Sequence, residues 1–402
     1  MDAGSSNTSQ PSLTHIGQVP VNSNNEMLLS PIQPNDRRAE LIREALLIIW
    51  DEAPMANRAV LACVEEVCRR VMGNNVPFGG KLIVLLGDFR QTCPVIQRGT
   101  RVQVVNASIK SSDLWPLFHI ERLLTPIRNA EDMEFAAVVD NIGDGAGPDV
   151  NLNIIHAVDS TEDLISFVYP PQVLAHSVDC LRRAILAPTN IQVDEYNDRI
   201  IRHLPGHEKK FYAADTLQER NDAADEFTGD DPLPTPDAIL DYVARIRPKG
   251  MPDHTLTIKI GGVYRLLRNF SLDKGLVKNV RVVITGLGNR LITVRVLKSI
   301  GNQAVAETED LLIPRITFKD PLSSGHTLLR RQFPLAPAYA TTFHSCQGLT
   351  LDRIGVDLTH PVFTHGQLYT ALSRIRHRNH ARIRLPDGHD TTTNVTYQEI
   401  LI

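Results

Sequence analysis

The chain is poor in the features that mark several protein classes. Five cysteines (Cys63, Cys68, Cys93, Cys180, Cys346) are scattered over 402 residues, and no two form a CxxC step. That argues against a disulfide scaffold and against a zinc site of the usual spacing. A reducing compartment is the default. The longest apolar runs, Ala45–Trp50 and Leu82–Leu86, fall far short of the ~20 residues that a membrane span needs, so no membrane partner is expected. No Lys or Arg precedes Arg37. The opening segment therefore has neither the charged start of a secretory signal nor the arginines of a mitochondrial transit peptide. The formal charge is −4, so any nucleic acid must be met by a local patch. Hydrophobic residues make up 42% and charged residues 22%, which excludes a collagen-like or wholly disordered chain.

Patterning divides the chain. Residues 1–36 are polar, rich in Ser, Asn, Gln and Pro, and read as loosely ordered. A helix is predicted from Asp36, then a buried strand, Ala45–Trp50, ending in Asp51-Glu52. Val60, Val64, Val67 and Val71 recur at helical spacing within 57–72. A second apolar strand, KLIVLLGDFRQ, comes next. Strand, helix, strand with wholly apolar strands predicts a parallel sheet covered on both faces. Residues 37–150 thus form a first α/β unit, with the turn-rich Gly143–Pro148 at its end. From 151 to 253 come a strand at Arg183–Thr189, a helix carrying Ile191, Tyr196 and Ile200 with Asn190 as its cap, and an acidic, Pro-rich stretch over 205–252 read as a surface insertion. Residues 254–318 read as short strands of a small β-barrel or sandwich. Residues 319–402 return to α/β: a strand in FPLAPAYATTF, another in DRIGVDL, a helix in HGQLYTALSR and a last strand in HARIRL.

Four constellations carry chemistry. LLIIWDEAPM puts Asp51 and Glu52 at the C-terminal end of a parallel strand, where open α/β sheets bind ligands. There an Asp can hold Mg²⁺ and a Glu can polarise an attacking water. LIVLLGDFRQTCPV brings Asp88 and Gln91 to the same sheet edge, where a Gln can sense a γ-phosphate. TTFHSCQGLT (Thr341–Thr350) suits a loop that contacts phosphates and relays to a nucleic-acid backbone. HGQLYTALSRIRHRNHARIR ends a helix at Arg374, placed to reach across a cleft as an arginine finger, and adds a basic stretch free of acids.

WDEAPM, GDFRQTCPV, LLTPIRN, LAPTNIQVDEYN, LLRNF, FHSCQGLTLD and HGQLYTALSR occur in this order. The series resembles the petite-integration-frequency (Pif-type) branch of superfamily-one 5′-to-3′ DNA helicases, the helitron-transposon relatives above all, over about residues 13–385. HIGQVPVN near the start resembles the family's segment after its first single-strand-binding motif. The resemblance implies two RecA-like lobes of the P-loop NTPase fold, the first truncated, with a small β-rich domain inserted in the second. It implies Glu52, Arg128 and Arg374 as catalytic groups, and Asp51 as Mg²⁺ ligand. Gln91, Gln347 and Gly348 join Asp51 on the nucleotide, and Thr342, His344 and Arg376 contact DNA. The implied cofactor is Mg²⁺, with ATP as substrate, single-stranded and forked DNA as partners, and unwinding in repair, recombination and telomere maintenance as the work. Residence would be nuclear; protein partners are not implied. Ser345-Cys346, Thr125-Pro126 and Lys278-Asn279 depart from the family's pattern.

The largest departure concerns G-x-x-x-x-G-K-[ST], whose backbone amides cradle the phosphates. The one Gly-Lys step, Gly80-Lys81, is followed by Leu82, and Asn75 stands where the first Gly is needed. Residues 13–50 already match the segment that comes after that loop in relatives, so the first lobe is expected to be truncated. Each charge-assisted hydrogen bond is worth roughly 1.5–3 kcal/mol. Losing several predicts on the order of three decades weaker ATP binding. The alternative to a motor is then a catalytically weak or inactive remnant that binds single-stranded DNA.

Overall fold

The computed structural model describes residues 28–402 apart from 97–98, 126, 146, 219–243, 245, 249, 302 and 323–325. The polar start through residue 27, with its HIGQVPVN, and the acidic stretch at 228–237 lie outside the described residues. So does Pro126 of the Thr125-Pro126 departure.

The first lobe is built around one helix. α1 (Arg37–Glu44) buries Ala39 and Ile42. β1 (Leu47–Trp50), α2 (Arg58–Met72) and β2 (Leu82–Leu85) come next. Asn57 caps α2 by accepting from the Ala59 amide at 2.9 Å, and Gly73 ends it in the left-handed conformation at φ +66°. Val64, Val67 and Val71 are buried on its inner side. β1 and β2 pair in parallel, Leu47 opposite Leu82 through Trp50 opposite Leu85. One face packs Ile48, Ile83 and Leu85 toward α2. The other face corrects the expectation of a sheet covered on both sides. Leu47, Ile49, Leu82 and Val84 are 42%, 59%, 63% and 37% exposed. The period of two sends alternate residues to opposite faces, and among the described residues only the α2 face is packed.

α3 (Arg101–Ala107) opens with a capping box between Thr100 and Gln103. α4 (Met133–Gly143) is capped by Asp132. β3 (Asp149–Asn151) pairs with β19 (Thr391–Thr393). The second lobe has α5 (Thr161–Val168), the short α6 (Pro171–Ala175) and α7 (Asn190–His203), with α8 (Gln367–Leu372) near its end. Its sheet is wholly parallel in the order β16 (Ala340–Thr342), β4 (Arg183–Ala187), β17 (Arg353–Asp357), β18 (Ala381–Arg384). After their first residues β4 and β17 are buried throughout. The cap of α7 is Thr189, whose hydroxyl accepts from the Gln192 amide; Asn190 is the first helical residue instead, and Ile191 points outward at 73% exposure.

The β-rich region has two parts. The larger is antiparallel, in the order β11 (Gln303–Ala306), β10 (Leu291–Ile300), β9 (Arg281–Leu287), β8 (Val263–Leu266), β15 (Leu335–Pro337), with β12 (Leu311–Pro314) also on β10. The smaller joins β13 (Ile316–Pro321), β14 (Thr327–Gln332) and β6 (Ala214–Gln218), while β5 (Lys209–Tyr212) pairs with β7 (Thr255–Ile258). The stretch read as a surface insertion therefore contributes two strands, because Phe211 is a buried core residue within an otherwise polar sequence. Asn279 adopts φ +69° at the Lys278-Asn279 turn, a conformation that Asn tolerates better than most residues. Arg330, fully buried, holds Asp215 by two bonds of 2.8 and 2.9 Å and ties β14 to β6.

Candidate nucleotide crevice

The loops after β1 and β2 meet the second lobe along α8 and the segment after β16. Glu52 comes just after β1 at φ 52°, ψ 36°, a left-handed conformation uncommon for a residue with a side chain. The Ala53 amide is bound to the Leu86 carbonyl at 2.9 Å, and the Glu52 amide to Asp51 Oδ1 at 2.9 Å. The Glu52 carboxylate accepts from Gln347 Nε2 at 2.6 Å, across the lobe boundary. Gln347 Oε1 in turn accepts from Thr92 Oγ1 at 3.1 Å.

From the other side Arg374, 4% exposed, donates to Gln91 Oε1 at 3.3 Å and to Ser373 Oγ at 3.2 Å. Among the described residues its Nε has no hydrogen-bond partner. Arg128 donates to the Ser373 carbonyl at 2.9 Å. Burial, then the charges of Arg374 and Arg376, lower the Arg128 pKa. Two guanidinium groups thus crowd one place, and among the described residues no carboxylate is bonded to either. Such a pair suits the charge that develops on a transferring phosphoryl group.

The structure brings together Glu52, Gln91, Arg128, Gln347 and Arg374. Asp51 sits at the rim, exposed, with one oxygen on the Glu52 amide. Among the described residues no three His, Cys, Asp or Glu side chains cluster for a metal. A single strand-end carboxylate still fits Mg²⁺, which keeps several waters and takes one or two carboxylates plus phosphate oxygens. Gly348 takes φ +78° just after Gln347. Thr342 and His344 lie outside this contact set. The Thr342 hydroxyl bonds Ser345 at 3.0 Å, and His344 Nδ1 lies 3.4 Å from Gln367 Nε2. Arg376 faces outward, 3.8 Å from Asp352. Cys346 is fully buried, and its thiol is pushed up to about 12 by burial, so it is packing, not a nucleophile.

Lys81 lies at the start of β2, at the other end of that strand from its outgoing loop. Its Nζ donates to the carbonyls of Arg43 and Ala45 at 2.6 and 2.9 Å. It closes the end of α1 and takes no part in the crevice.

Several groups that build the site lie within HGQLYTALSR and GDFRQTCPV, where no role is assigned to them from the sequence. Tyr369 donates to Asp88 Oδ2 at 2.5 Å, with Arg90 stacked 4.8 Å from the ring centroid. The Thr92 amide donates to Thr370 Oγ1 at 3.1 Å. His365 bonds the Phe89 carbonyl through Nε2 and the Tyr397 amide through Nδ1, both at 2.8 Å. A Cβ on Gly366 would lie 2.4 Å from the Arg90 carbonyl oxygen, so only glycine fits. Asp88 itself is therefore committed to Tyr369 and Arg90. No linear pattern joins residues so far apart.

Residues 12–152 match the family model for the PIF1-like helicase. The chain is related to the PIF1-like helicases. It is 28% identical over 343 residues to the ATP-dependent DNA helicase PIF1 of Xenopus laevis, covering 84% of this chain and 46% of that protein. The human ATP-dependent DNA helicase PIF1 is 27% identical over 347 residues, at 86% and 46%. The chain thus spans about half the length of the curated relatives it matches. Among solved structures, Bacteroides Pif1 bound to single-stranded DNA gives a TM-score of 0.58 at 22% identity, covering 92% of this chain and 78% of that one. The Pif1 helicase of Candida albicans gives 0.56 at 20% identity, covering 91% and 78%. The fold is therefore the α/β, two-lobed RecA-like architecture of the Pif1-like proteins.

Proposed function

We propose that this chain is the two-lobed core of an ATP-dependent DNA helicase of the Pif type, coupling hydrolysis to 5′-to-3′ movement on single-stranded DNA and opening forked duplex. The observation that supports this most is the facing of Glu52 and Gln91 from the first lobe by Arg374 and Gln347 from the second. In this reading Glu52 orients the attacking water and Asp51 would hold Mg²⁺, which would supply charge neutralisation. Arg128 and Arg374 hold the charge of the γ-phosphoryl group. Gln91 reports its presence, and Gln347-Gly348 passes the nucleotide state to Thr342 and His344 on the DNA side. Nuclear repair, recombination and telomere maintenance are the settings proposed from the family likeness.

A second reading is a DNA-binding chain that turns ATP over slowly or not at all. It is favoured by Lys81, whose amine sits on the carbonyls of Arg43 and Ala45. The 402 residues carry no other Gly-Lys step with which to cradle a triphosphate.

One experiment separates the two. ATP turnover and strand displacement are measured with Mg²⁺ on a fork with a 5′ tail, alongside filter binding of single strands at two salt concentrations. DNA-stimulated turnover with fork opening supports the motor. Salt-dependent binding without turnover supports the second reading. Absence of both overturns each.

A further inference from the structure

Beside the crevice lies a cavity of about 870 Å³, bordered by Arg183 and Arg353, the first residues of β4 and β17. The two arginines are direct register partners on neighbouring parallel strands. Arg382 on β18 stands opposite Gly355, two residues along from Arg353. Gly355 faces α5, since a Cβ there would lie 2.9 Å from Leu164 Cγ. All three arginines therefore share the α5 face.

None of the three makes an ion pair among the described residues. Arg183 donates to the Val168 carbonyl at 2.9 Å and Arg382 to the Ala381 carbonyl at 2.7 Å. Arg353 and Arg382 both stack on Phe167, at 4.6 and 4.4 Å from its ring centroid. Arg376 and His380 extend the wall, and Arg128 closes the side toward the crevice. His380 Nδ1 is buried without a hydrogen-bond partner among the described residues. Two acids border the cavity, Glu131 and Asp352, and Asp352 is shared by Arg182 at 2.8 Å and, more loosely, Arg376 at 3.8 Å.

Like charges directly opposite one another on adjacent strands destabilise a sheet. Burial, then Arg183 and Arg382, lower the Arg353 pKa. A merely solvated basic face would let these side chains spread into water. Here Arg183 and Arg353 are half-buried at the border of a concavity, the first held by the Val168 carbonyl and the second by Phe167. The cavity is a half-open cleft of ligand-sized volume, and guanidinium forks match phosphate oxygens.

We propose that this cavity is a second phosphate-binding site, separate from the Gln91–Arg374 crevice, which grips a nucleotide phosphate through Arg183, Arg353 and Arg376. The phosphate comes from a DNA strand or from a free nucleotide. The inference stands independently of the crevice reading.

The test is fluorescence anisotropy of labelled oligo-dT and of a fluorescent ATP analogue. It compares the whole chain with R183Q/R353Q, R376Q and R374A. If DNA is the source, R183Q/R353Q weakens oligo-dT binding about tenfold, and the slope of log affinity against log salt falls by roughly 1.4, for two lost phosphate contacts. If a free nucleotide is the source, the analogue loses affinity and oligo-dT does not. Either result supports the site. R376Q, at a position outside the strands, gives the same sign with a smaller change should the double variant fold poorly. Unchanged binding of both probes in R183Q/R353Q and R376Q overturns the proposal, as does wild-type protein that binds neither probe. Loss in R374A alone upholds the crevice and removes this site; loss in R183Q/R353Q alone does the reverse.

Discussion

The two parallel sheets among the described residues are buried in a way that their composition does not predict: β1 and β2 are wholly apolar, β4 and β17 carry Arg183, Arg353 and Asp357, and it is the second pair that is covered. β4 and β17 lie between helices and are covered along almost their whole length. β1 and β2 bury every second residue against α2 and leave Leu47, Ile49, Leu82 and Val84 exposed. An apolar run states what a strand tolerates, and its neighbours decide what it buries. What the first lobe does not obtain from its own sheet it obtains from the second. Its outgoing loop is tied down by Tyr369, Thr370 and His365, and Ile400 packs on Cys93 and Val104.

The sharpest test sets one residue from each sheet against the other. Ile185 in β4 is fully buried and Ile49 in β1 is 59% exposed. Ile185→Ala should cost about 2–5 kcal/mol. Ile49→Ala should stay within about 0.5 kcal/mol. Urea midpoints measure both. Equal losses would mean that the outer face of β1 is covered after all, and the contrast between the lobes would disappear.

The same contrast explains what could be read in the sequence. The α2 helix was legible because its valines repeat at one face and Asn57 and Gly73 bracket it. The strand ends at Asp51-Glu52 and Gln91 were legible because a polar step succeeds an apolar run. The family likeness carried the expectation to Arg128, Gln347 and Arg374, which the fold does bring near Glu52. Four features were not legible. The bare face of β1 and β2 has the same sequence character as a covered one. Lys81 comes after a glycine, and only the fold shows its amine on the end of α1. Asp88 and Tyr369 are 281 residues apart, so nothing local announces their bond. Thr189 and Asn190 are both good capping residues, and the point where β4 ends selects the threonine.

A middle-sized effect is expected at the tie itself. Tyr369→Phe keeps the ring under Arg90 and removes only the hydroxyl that Asp88 accepts. A hydrogen bond to a charged group contributes about 1.5–3 kcal/mol, and Arg90 remains to neutralise Asp88, so a loss of about 1.5 kcal/mol is expected. The first lobe should feel it more than the second. Hydrogen exchange would rise in the loop from residue 87 to 92 and stay flat in β4 and β17. Exchange rising uniformly would show that the two lobes unfold as one unit and do not differ in this respect.

The smallest effect depends on pH. His365 is fully buried between the lobes, accepting from the Tyr397 amide on Nδ1 and bonding the Phe89 carbonyl through Nε2. A second proton would remove the acceptor at Nδ1. Burial lowers its pKa below the ordinary 6.5, against the smaller opposing pulls of the Phe89 carbonyl, Asp88 and Glu399. The unfolded chain therefore binds a proton more readily than the folded one. The contribution is complete above about pH 6.5 and is lost as pH falls through that value toward the folded pKa. Urea midpoints should drop from about pH 7.5 to about pH 5.5, and the drop should shrink in His365→Gln. Proteolysis should release the end of the chain after Tyr397 sooner at the lower pH, because that segment shares the histidine with the first lobe's loop. An equal drop in the variant would place the pH-sensitive tie elsewhere and leave the first lobe's dependence on the second resting on Tyr369 and Thr370.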